Sequence, residues 1–586
     1  MTKKILVFAI LAAFLVVGAS AAELSKTAPI SKYREATGNE QIDLTNAVPY
    51  NPGTVTDSPG DIIGYTFYDY QTNGSSGNRV WVCPDGTKYF CWMKLFSWPY
   101  PPGVRQVYYN WADDAGNYIE PEDGYQVSVN AGSGYTNMDI RTDYRGVITY
   151  HQDVSCYTSV EYLPGFEVFD HYNPPNQVYP QNSDSPGICM WPYICVDSHN
   201  RIHMVATENT TQRLQRMGYT RSDDGGATWT TFTQVDTVMV ISSVMAASPV
   251  SDRVVLAYSE TQDTSIQWRN DISYYVSENG TTWDWRYGKT NVTHYGQGGD
   301  SLWAYTDLDV IFDYNDYIHL LWNAQWVTDA GIYFRTDMYH YSEETETITD
   351  ICHYPDSLWM DISGAWNRSM CKMSLGAQPG TNNIFATWTQ FDTSDVSAGG
   401  FGNGDLYMAA SDDGGATWST PVNMTDSQTP GCFPGECDSD HWSSLCPVVD
   451  NYLHVFYTND KDAGGIVQTE GAATENPMRY LMYPNPLYTG IDDNGNNRPV
   501  NFSLNQNYPN PFNVNTVISF SLKEASPVTI DIFDITGAKV KTLVNADMNA
   551  GEHQVTWDAS DVASGVYYYT LTANNVTQTK QAVLIK

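Results

Sequence analysis

Apolar and polar positions along this chain alternate in short blocks rather than with the period of a helix. One block is an apolar strand, a turn rich in Asp, Gly and Asn, and a second apolar strand; residues 80–92, with Asp85 and Gly86 in the turn, are the first example. Asp and Asn side chains bond nearby backbone groups, and Gly accepts positive φ. Such a block therefore predicts a β-hairpin.

The block recurs, and this internal repeat is the main organising feature of the chain. Later copies occupy residues 138–150 and 193–206, and others turn near Asp252, Asp313–Asp316, Gly380–Asn383 and Asp450–Asn451, with second strands beginning at Val254, Ile318, Ile384 and Leu453. The copies are about 50 to 70 residues apart, which fits one four-stranded blade with its loops. Because a blade buries its two apolar faces only against neighbours, the pattern predicts an all-β fold with a β-propeller of seven blades, or of six as the alternative.

A strand-like stretch, Ile62–Gln71, precedes the first copy, while the last copy is short and ends near residues 480–483. We expect the early stretch to supply the outer strand of the last blade. That pairing would protect an edge that is otherwise open.

A second motif lies later in the repeats. Its full copies are Ser222-Asp223-Asp224-Gly225-Gly226-Ala227-Thr228-Trp229 and Ser411-Asp412-Asp413-Gly414-Gly415-Ala416-Thr417-Trp418, and its partial copies lie at 277–283 and 112–118. The motif resembles the Asp-box, or BNR repeat, of sialidase-like β-propellers, and the blade pattern covers residues 60–485. The resemblance implies a structural role on turns between outer strands for Ser222, Asp224, Gly226, Thr228, Trp229, Ser277, Asn279, Gly280, Trp283, Ser411, Asp413, Gly415, Thr417 and Trp418.

The first residues predict export. Residues 1–22 have a basic start, an apolar run and small residues before a cleavage point, which is typical of a signal peptide. Residues 23–59 form an N-terminal extension. No later stretch is apolar for long enough to span a membrane, so we expect no membrane span in the mature chain.

Charge and cysteine content limit which partners, disulfides and metals are expected. The formal net charge of −37 argues against nucleic acid as a partner, since nucleic acid rewards clustered Lys and Arg. Ten cysteines in an exported chain suggest disulfides; Cys432 with Cys437 is a local candidate, and Cys83, Cys91, Cys189 and Cys195 also lie close to one another in pairs. Zinc would require paired Cys or Cys–His spacing, which is missing, so no metal or other cofactor is expected, with calcium on acidic loops as the alternative.

After a polar linker at residues 486–506, the chain ends in a small module at 507–586. Predicted strands span 516–522, 528–534, 551–557, 565–573 and 578–585, with turn signals about every ten residues. This spacing favours a small Ig-like β-sandwich.

Several motifs of this module appear in a recognisable order. They include Tyr508, Pro509, Asn510, Pro511, Phe512 and Asn513, then Gly537, Gly565 and Tyr567, and a basic, apolar end. The module strongly resembles the type A C-terminal sorting domain of the type IX secretion system. The resemblance implies that the secretion machinery is a partner, that the chain is secreted or displayed on the outer cell surface, and that the domain is removed.

Catalytic residues stay unassigned. The resemblance to sialidases implies an arginine triad introduced by Arg-Ile-Pro, and that motif is missing here, so no catalytic residue is carried over. Asp300, Asp307 and Asp309 lie near the start of a blade, but solvated loop acids are the favoured interpretation. His203, His319 and His454 occupy equivalent second-strand positions, which favours packing over a functional ring.

Two functional hypotheses follow. The first is a surface protein that binds a glycan or protein partner, with the aromatic stretch from Trp92 to Trp111 as one candidate surface. The second is a sialidase-like or other glycoside hydrolase with its active site at the propeller axis. The missing arginine motif favours the non-enzymatic hypothesis.

Overall fold

The structure is a computed structural model. It describes residues 42, 44, 46–51, 58–96, 104–120, 123–153, 155–165, 167–175, 177–178, 187–210, 214–297, 302–328, 331–354, 363–364, 367–488, 502–504, 507, 509–510, 512–522, 525–534, 538–549, 551–560, 562–573 and 576–586. The predicted signal peptide lies outside the described residues, as does most of the predicted linker. Two compact bodies divide the chain, Met1–Asn485 and Pro486–Lys586, here called the large and the small domain.

The large domain is built from short antiparallel strands. Its first strands are β1 (Asp61–Thr66), β2 (Val80–Val82), β3 (Lys88–Leu95), β4 (Arg105–Ala112), β5 (Tyr125–Gln126), β6 (Ser133–Ile140), β7 (Gly146–Gln152), β8 (Ser155–Glu161), β9 (Phe169–Tyr172), β10 (Gln177–Val178), β11 (Gly187–Val196), β12 (Ile202–Glu208), β13 (Gln215–Ser222) and β14 (Thr233–Val238). These are followed by β15 (Ser243–Ala247), β16 (Val254–Thr261), β17 (Asn270–Ser277), β18 (Thr290–Asn291), β19 (Leu302–Phe312), β20 (Ile318–Thr328), β21 (Gly331–Ser342), β22 (Thr347–His353), β23 (Met370–Ala377), β24 (Ile384–Val396), β25 (Gly402–Ser411), β26 (Val422–Asn423), β27 (Ser439–Leu445), β28 (Tyr452–Asp460) and β29 (Asn476–Pro484). Short 3₁₀ turns occupy Tyr295–Gln297 and Ile466–Gln468.

These strands fall into seven four-stranded repeats. Repeats 1 and 2 are β2–β5 and β6–β9, repeat 3 is β11–β14 with the short β10 added, repeats 4 and 5 are β15–β18 and β19–β22, repeat 6 is β23–β26, and repeat 7 is β27–β29 with β1. Repeats 4 and 5 are joined by one bridge between Asn270 and Ala304. Every turn predicted from the sequence lies between the first and second strands of a repeat, which confirms the hairpins.

The strand bounds also follow the prediction closely. The predicted second strands at Val254, Ile318 and Ile384 begin at those residues. The strand expected to begin at Leu453 begins one residue earlier, at Tyr452.

The first strands of neighbouring repeats pack against each other. Contacts run from β2 to β6, β11, β15, β19, β23 and β27 in turn, and β2 also contacts β28. Side chains bridge the junctions: Asn137 accepts a hydrogen bond from the backbone N–H of Ile194 at 3.1 Å, and Asp309 accepts one from Leu375 at 2.7 Å. Such bonds satisfy backbone groups that no strand partner reaches.

The N-terminal strand joins the last repeat. Strand β1 pairs antiparallel with β29, with Asp61 opposite Tyr480 and Thr66 opposite Asn476. This confirms the predicted pairing, although the strand ends at Thr66 and not at Gln71. Residues 67–76 instead form a non-regular segment, buried throughout, that leads to β2; it is called the crossing segment below.

The turns between third and fourth strands contain the second sequence motif. In repeat 6, Asp413 accepts hydrogen bonds from the N–H and hydroxyl of Thr417 at 2.9 and 2.7 Å, and Ser411 accepts one from the Gly415 N–H at 2.8 Å. The same bonds recur in repeat 3 around Asp224. In repeat 4, Asn279 takes the place of the Asp and accepts from the N–H groups of residues 281 and 282.

Each motif turn also docks on the preceding repeat. The Thr349 hydroxyl of repeat 5 donates to the Gly415 carbonyl at 2.8 Å, and the rings of Trp418 and His340 lie 5.1 Å apart. A side chain at position 415 would meet the His340 ring at 2.0 Å. The glycine is therefore required by a close approach as well as by its φ of +85°.

One of the suggested disulfides is present. Cys432 and Cys437 are bonded, which confirms the local pair. The suggestion of further pairs among Cys83, Cys91, Cys189 and Cys195 is wrong, because these thiols are free and buried in apolar surroundings between strands.

The small domain contains two sheets on one core. Its strands are β30 (Phe502–Leu504), β31 (Asn515–Leu522), β32 (Ser526–Asp534), β33 (Lys539–Met548), β34 (Gly551–Asp558), β35 (Gly565–Ala573) and β36 (Val576–Leu584). One sheet has the order β30-β31-β34 and the other β33-β32-β35-β36. Ile518 and Phe520 of the first sheet share a buried cluster with Ile530 and Leu571 of the second. The five predicted strands are present; β30 and β33 were not predicted.

Removal of residues 60–72 is predicted to destabilise the large domain strongly. The deletion takes away β1 and much of the crossing segment, including the buried Ile63, Tyr68 and Tyr70, and each such side chain contributes about 1.5–3 kcal/mol. The denaturation midpoint should fall, or the cooperative transition should disappear. The control lacks residues 507–586, which belong to the separate small domain; an unchanged midpoint after deletion of 60–72 would contradict the role of β1.

Gly415→Ala is predicted to cost more stability than Gly400→Ala. Both glycines have positive φ, +85° and +89°, so both variants pay a similar backbone cost, but a Cβ at position 400 meets nothing within 4 Å. The clash with His340 should add about 1–3 kcal/mol to the loss. Urea unfolding of the two variants measures the difference, and equal losses would show that the docking of this turn contributes little.

Candidate functional site

A cavity of about 740 Å³ opens among the ends of the first strands. All seven repeats contribute to its wall, through Val82, Ile140, Val196, Ala247, Phe312, Pro379 and Val448 among others. The wall is mainly apolar, with the partly exposed aromatic rings of Trp81, Tyr144 and Tyr314. A concave, mostly apolar cavity of this size is the usual form of a ligand site, so this central cavity is the candidate functional site.

Its acidic groups have partners in the fold. Burial raises the pKa of Asp139 to about 7 against the hydrogen bonds from the Val196 and Ile140 N–H groups. For Asp197, contacts with His203 and Arg201 outweigh burial and hold the pKa below its usual value. The pKa of Asp450 is likewise lowered, because its bond to His454 outweighs burial.

This arrangement limits the chemistry of the cavity. A retaining or inverting glycosidase needs two carboxyl groups facing one bond of the substrate. Here Asp139 links two first strands, Asp197 ties its own turn to His203, and Asp450 holds His454. Within the described residues, the acids of the wall thus serve the turns and strand junctions that form it.

The opposite end of the first strands has a different character. Several first strands contain a bulge whose residue takes positive φ: Tyr135, Trp191, Lys372 and Trp442, at +53°, +58°, +53° and +57°. Each such non-glycine conformation costs about 1–2 kcal/mol, so the surrounding packing must impose it. The four side chains are buried.

The crossing segment fills this end. Tyr68 bonds the Tyr135 hydroxyl at 2.8 Å, Gln71 exchanges hydrogen bonds with the backbone of Met93, and Thr72 lies 3.1 Å from the Tyr193 hydroxyl. These partners belong to repeats 1, 2 and 3. The segment therefore binds several repeats at once.

Charged groups are buried beside it. The Lys372 ammonium lies 3.1 Å from the Asp307 carboxylate and 4.6 Å from the centre of the Trp442 ring. The Arg79 guanidinium donates to the Trp442 carbonyl, and burial lowers the pKa of Arg79 to about 10. These groups are enclosed, so we assign them to the packing of the strands.

The acids singled out from the sequence do not converge. Asp300 lies outside the described residues. Asp307 pairs with Lys372, and burial raises the pKa of Asp309, which accepts the Leu375 N–H, to about 7. Both are buried at repeat junctions, so the expectation of solvated loop acids is wrong for these two.

The three equivalent histidines make similar contacts. His203 contacts Asp197 and the Tyr219 hydroxyl, and His454 contacts Asp450 and the Tyr480 hydroxyl. His319 contacts Asp313 and His340. Each therefore links its first turn to the third strand of its own repeat.

The aromatic stretch suggested for ligand stacking is mostly interior. Trp92 and Tyr109 are fully buried, and Trp92 packs against Phe456 of repeat 7. Residues 97–103 lie outside the described residues. The sequence could not separate stacking rings from core rings, because both are aromatic residues on strands.

The remaining sequence-predicted residues of the large domain do not line the central cavity. The motif residues from Ser222 to Trp229, Ser277 to Trp283 and Ser411 to Trp418 lie at third-to-fourth-strand turns. In the small domain, Tyr508, Pro511 and Gly537 are outside the described residues. Asn510 accepts the Val583 N–H at 2.7 Å, the Phe512 ring lies 5.1 Å from Trp557, and the Tyr567 hydroxyl donates to Ala563. The Pro509 carbonyl accepts a hydrogen bond from Asn507, Asn513 lies two residues before β31, and Gly565 is the first residue of β35.

The described residues contain no helix that is long and apolar enough to cross a membrane. In the same part of the chain, no three His, Cys, Asp or Glu side chains are grouped to hold a metal ion. The acidic residues of the linker, at 492–497, lie outside the described residues.

Known structures resemble the whole chain only distantly. A polysaccharide lyase described as a PL25 ulvan lyase has 11% identity over 71% of this chain and 99% of its own, with a TM-score of 0.46. The polysaccharide lyase Uly1 has 9% identity over 73% and 98%, with a TM-score of 0.43. PorZ, a surface component of the type IX secretion system of Porphyromonas gingivalis, has 10% identity over 88% and 60%, with a TM-score of 0.34.

Among curated proteins no sequence match to this chain was found. A family model does match its end. Residues 506–586 fit the family described as the secretion system C-terminal sorting domain. The last part of this chain is thus a sorting domain of the type IX secretion system, which directs the protein to secretion or to the cell surface.

Proposed function

We propose that this protein is an exported recognition module: a seven-bladed β-propeller of Asp-box type that binds a glycan or protein partner through its central cavity. Its sorting domain, of type A, delivers it through the type IX machinery and is then removed. The match of residues 506–586 to the sorting-domain family supports export. The central cavity supports binding.

The propeller is supported by the order of contacts. Each first strand contacts the first strand of the next repeat, and β2 contacts β28 of repeat 7. The pairing of β1 with β29 then joins the two ends of the large domain. Seven four-stranded repeats with such contacts fit a propeller whose blades cover one another.

The Asp-box residues support the same architecture in a structural role. The carboxylate oxygens of Asp224 and Asp413 accept hydrogen bonds from the hydroxyls and N–H groups of their own turns. Their glycines let the turns approach the preceding repeat. We therefore assign these acids to holding blades together and not to chemistry.

Binding is favoured over hydrolysis because the acids of the cavity wall already bond to groups of the fold. Arg141 is the arginine of the cavity wall, and it pairs with Asp143 at 3.1 Å. A single observation favours the hydrolase alternative: Asp139 lines the cavity with a pKa of about 7, as a general acid would require. A second carboxyl group facing it is needed for that chemistry.

A glycan array and a panel of fluorogenic glycosides, applied to residues 23–490, test the two alternatives. We expect binding to at least one array or protein ligand and no turnover above a heat-killed control. Tyr314→Ala, which removes a ring from the wall, should weaken binding, whereas Tyr287→Ala should not, because Tyr287 is 75% exposed and outside the wall. Turnover that Asp139→Asn abolishes would favour the hydrolase.

Removal of residues 507–586 is predicted to block export. The machinery should no longer recognise the chain, which should stay inside the cell envelope while the full chain reaches the medium or the surface. Immunoblots of medium, surface and periplasmic fractions measure this. As a matched control, residues 507–586 fused to a periplasmic reporter should export it; a truncated chain that still reaches the surface would contradict the proposal.

A further inference from the structure

The turns around the cavity are acidic. Six of the seven turns between first and second strands contain an aspartate, namely Asp85, Asp143, Asp197, Asp252, Asp313 and Asp450. Strand direction alternates within each repeat, so the turns between third and fourth strands lie at the same end. These add further acids, including Asp114, Glu344 and Asp412. The cavity therefore opens within an acidic end of the large domain.

The arginines of these turns are already paired. Arg141 and Arg145 both contact Asp143, the latter at 2.7 Å. Arg201 contacts Asp197 at 2.5 Å, and Arg253 contacts Glu343 at 2.7 Å. The basic side chains of the turns between first and second strands therefore neutralise only some of the nearby carboxylates.

Among the acids of the turns between first and second strands, three exposed ones have no Lys or Arg partner in the described residues. Asp85 accepts hydrogen bonds from Thr87. The side chain of Asp252 is 50% exposed and lies 3.3 Å from His199, and that of Asp450 is 56% exposed beside His454. Their negative charges face solvent near the mouth of the cavity.

The cavity itself favours an apolar group. Val196, Met245, Val310 and Phe312 line it together with the Tyr314 ring. Sugar hydroxyls buried against such a wall would lose hydrogen bonds to water. An apolar side chain loses none, and its burial is favourable.

We infer that the cavity end docks a cationic protein segment, in which one or two apolar side chains enter the cavity and flanking Lys or Arg side chains face Asp85, Asp252 and Asp450. The inference rests on the proposed function and names the partner class. An apolar centre with a charged rim is the usual anatomy of a protein interface, and complementary charge selects the partner.

The probe is a synthetic peptide with the order Lys-Lys-Leu-Phe-Leu-Lys-Lys, titrated calorimetrically into the mature chain at low salt. We expect binding that weakens as salt rises. Two comparison peptides separate the contributions: one replaces every Lys by Glu, and one replaces Leu-Phe-Leu by Gly-Ser-Gly. Both should bind at least tenfold more weakly.

Two triple variants with the same change in net charge locate the site. Asp85→Asn, Asp252→Asn and Asp450→Asn together should weaken the peptide about tenfold, since three exposed ion pairs each contribute modestly. Asp153→Asn, Asp392→Asn and Asp426→Asn remove three exposed acids from the other end of the repeats, farther away than the screening length. That variant should change the affinity for the peptide less than twofold. Tyr314→Ala should weaken peptide binding, because it removes an apolar contact in the cavity.

The outcomes are distinct. Equal losses in the two triple variants, or equal affinity for the Gly-Ser-Gly peptide, would reduce the effect to general charge attraction and overturn the inference. No binding of the first peptide would overturn it as well. A glycan whose binding depends on Tyr314 would overturn this partner class and leave the recognition function standing, whereas glycoside turnover would overturn the recognition function itself.

Discussion

The large domain depends on side chains that bind the backbone of a neighbouring repeat. First strands of adjacent repeats lie side by side without a regular ladder between them, so their N–H and carbonyl groups need other partners. Asn137, Asp139 and Asp309 accept N–H groups of the next repeat, and Ser443 donates to the Lys372 carbonyl. Each bond contributes about 1 kcal/mol net, but an unpaired buried group would cost more. Polar residues therefore persist in the most enclosed part of the fold.

Features that depend on contacts close in sequence could be predicted from the sequence. Turns such as Asp85-Gly86 and the Ser411–Trp418 motif were predictable because their chemistry is local: a carboxylate binds N–H groups two to four residues away, and a glycine takes positive φ. Strand β1 was predictable from an unpaired edge at the other end of the large domain. The sorting domain was predictable because its motifs occur in order over a short span.

Features set by distant contacts were not predictable. Tyr135, Trp191 and Trp442 adopt positive φ although aromatic residues disfavour it, because the packing of the crossing segment and neighbouring strands imposes that conformation. Residues 67–71 resemble a strand by composition but lie buried against several repeats without pairing. Strand β33 was missed because Lys539–Met548 is largely exposed and lacks a clear alternation. The cavity wall could not be predicted, because its valines and alanines are equally typical of strands that line no cavity.

The pairing of β1 with β29 also fixes an order of events. Residues 61–66 leave the ribosome among the earliest parts of the domain, yet their partner at 476–484 is made last. Until then β1 has no strand partner, whereas the contacts of the crossing segment with repeats 1, 2 and 3 can already form. Sequence-distant pairing slows folding and leaves apolar surface exposed meanwhile. We therefore expect the nascent chain to depend on chaperones or on delayed folding before it crosses the envelope.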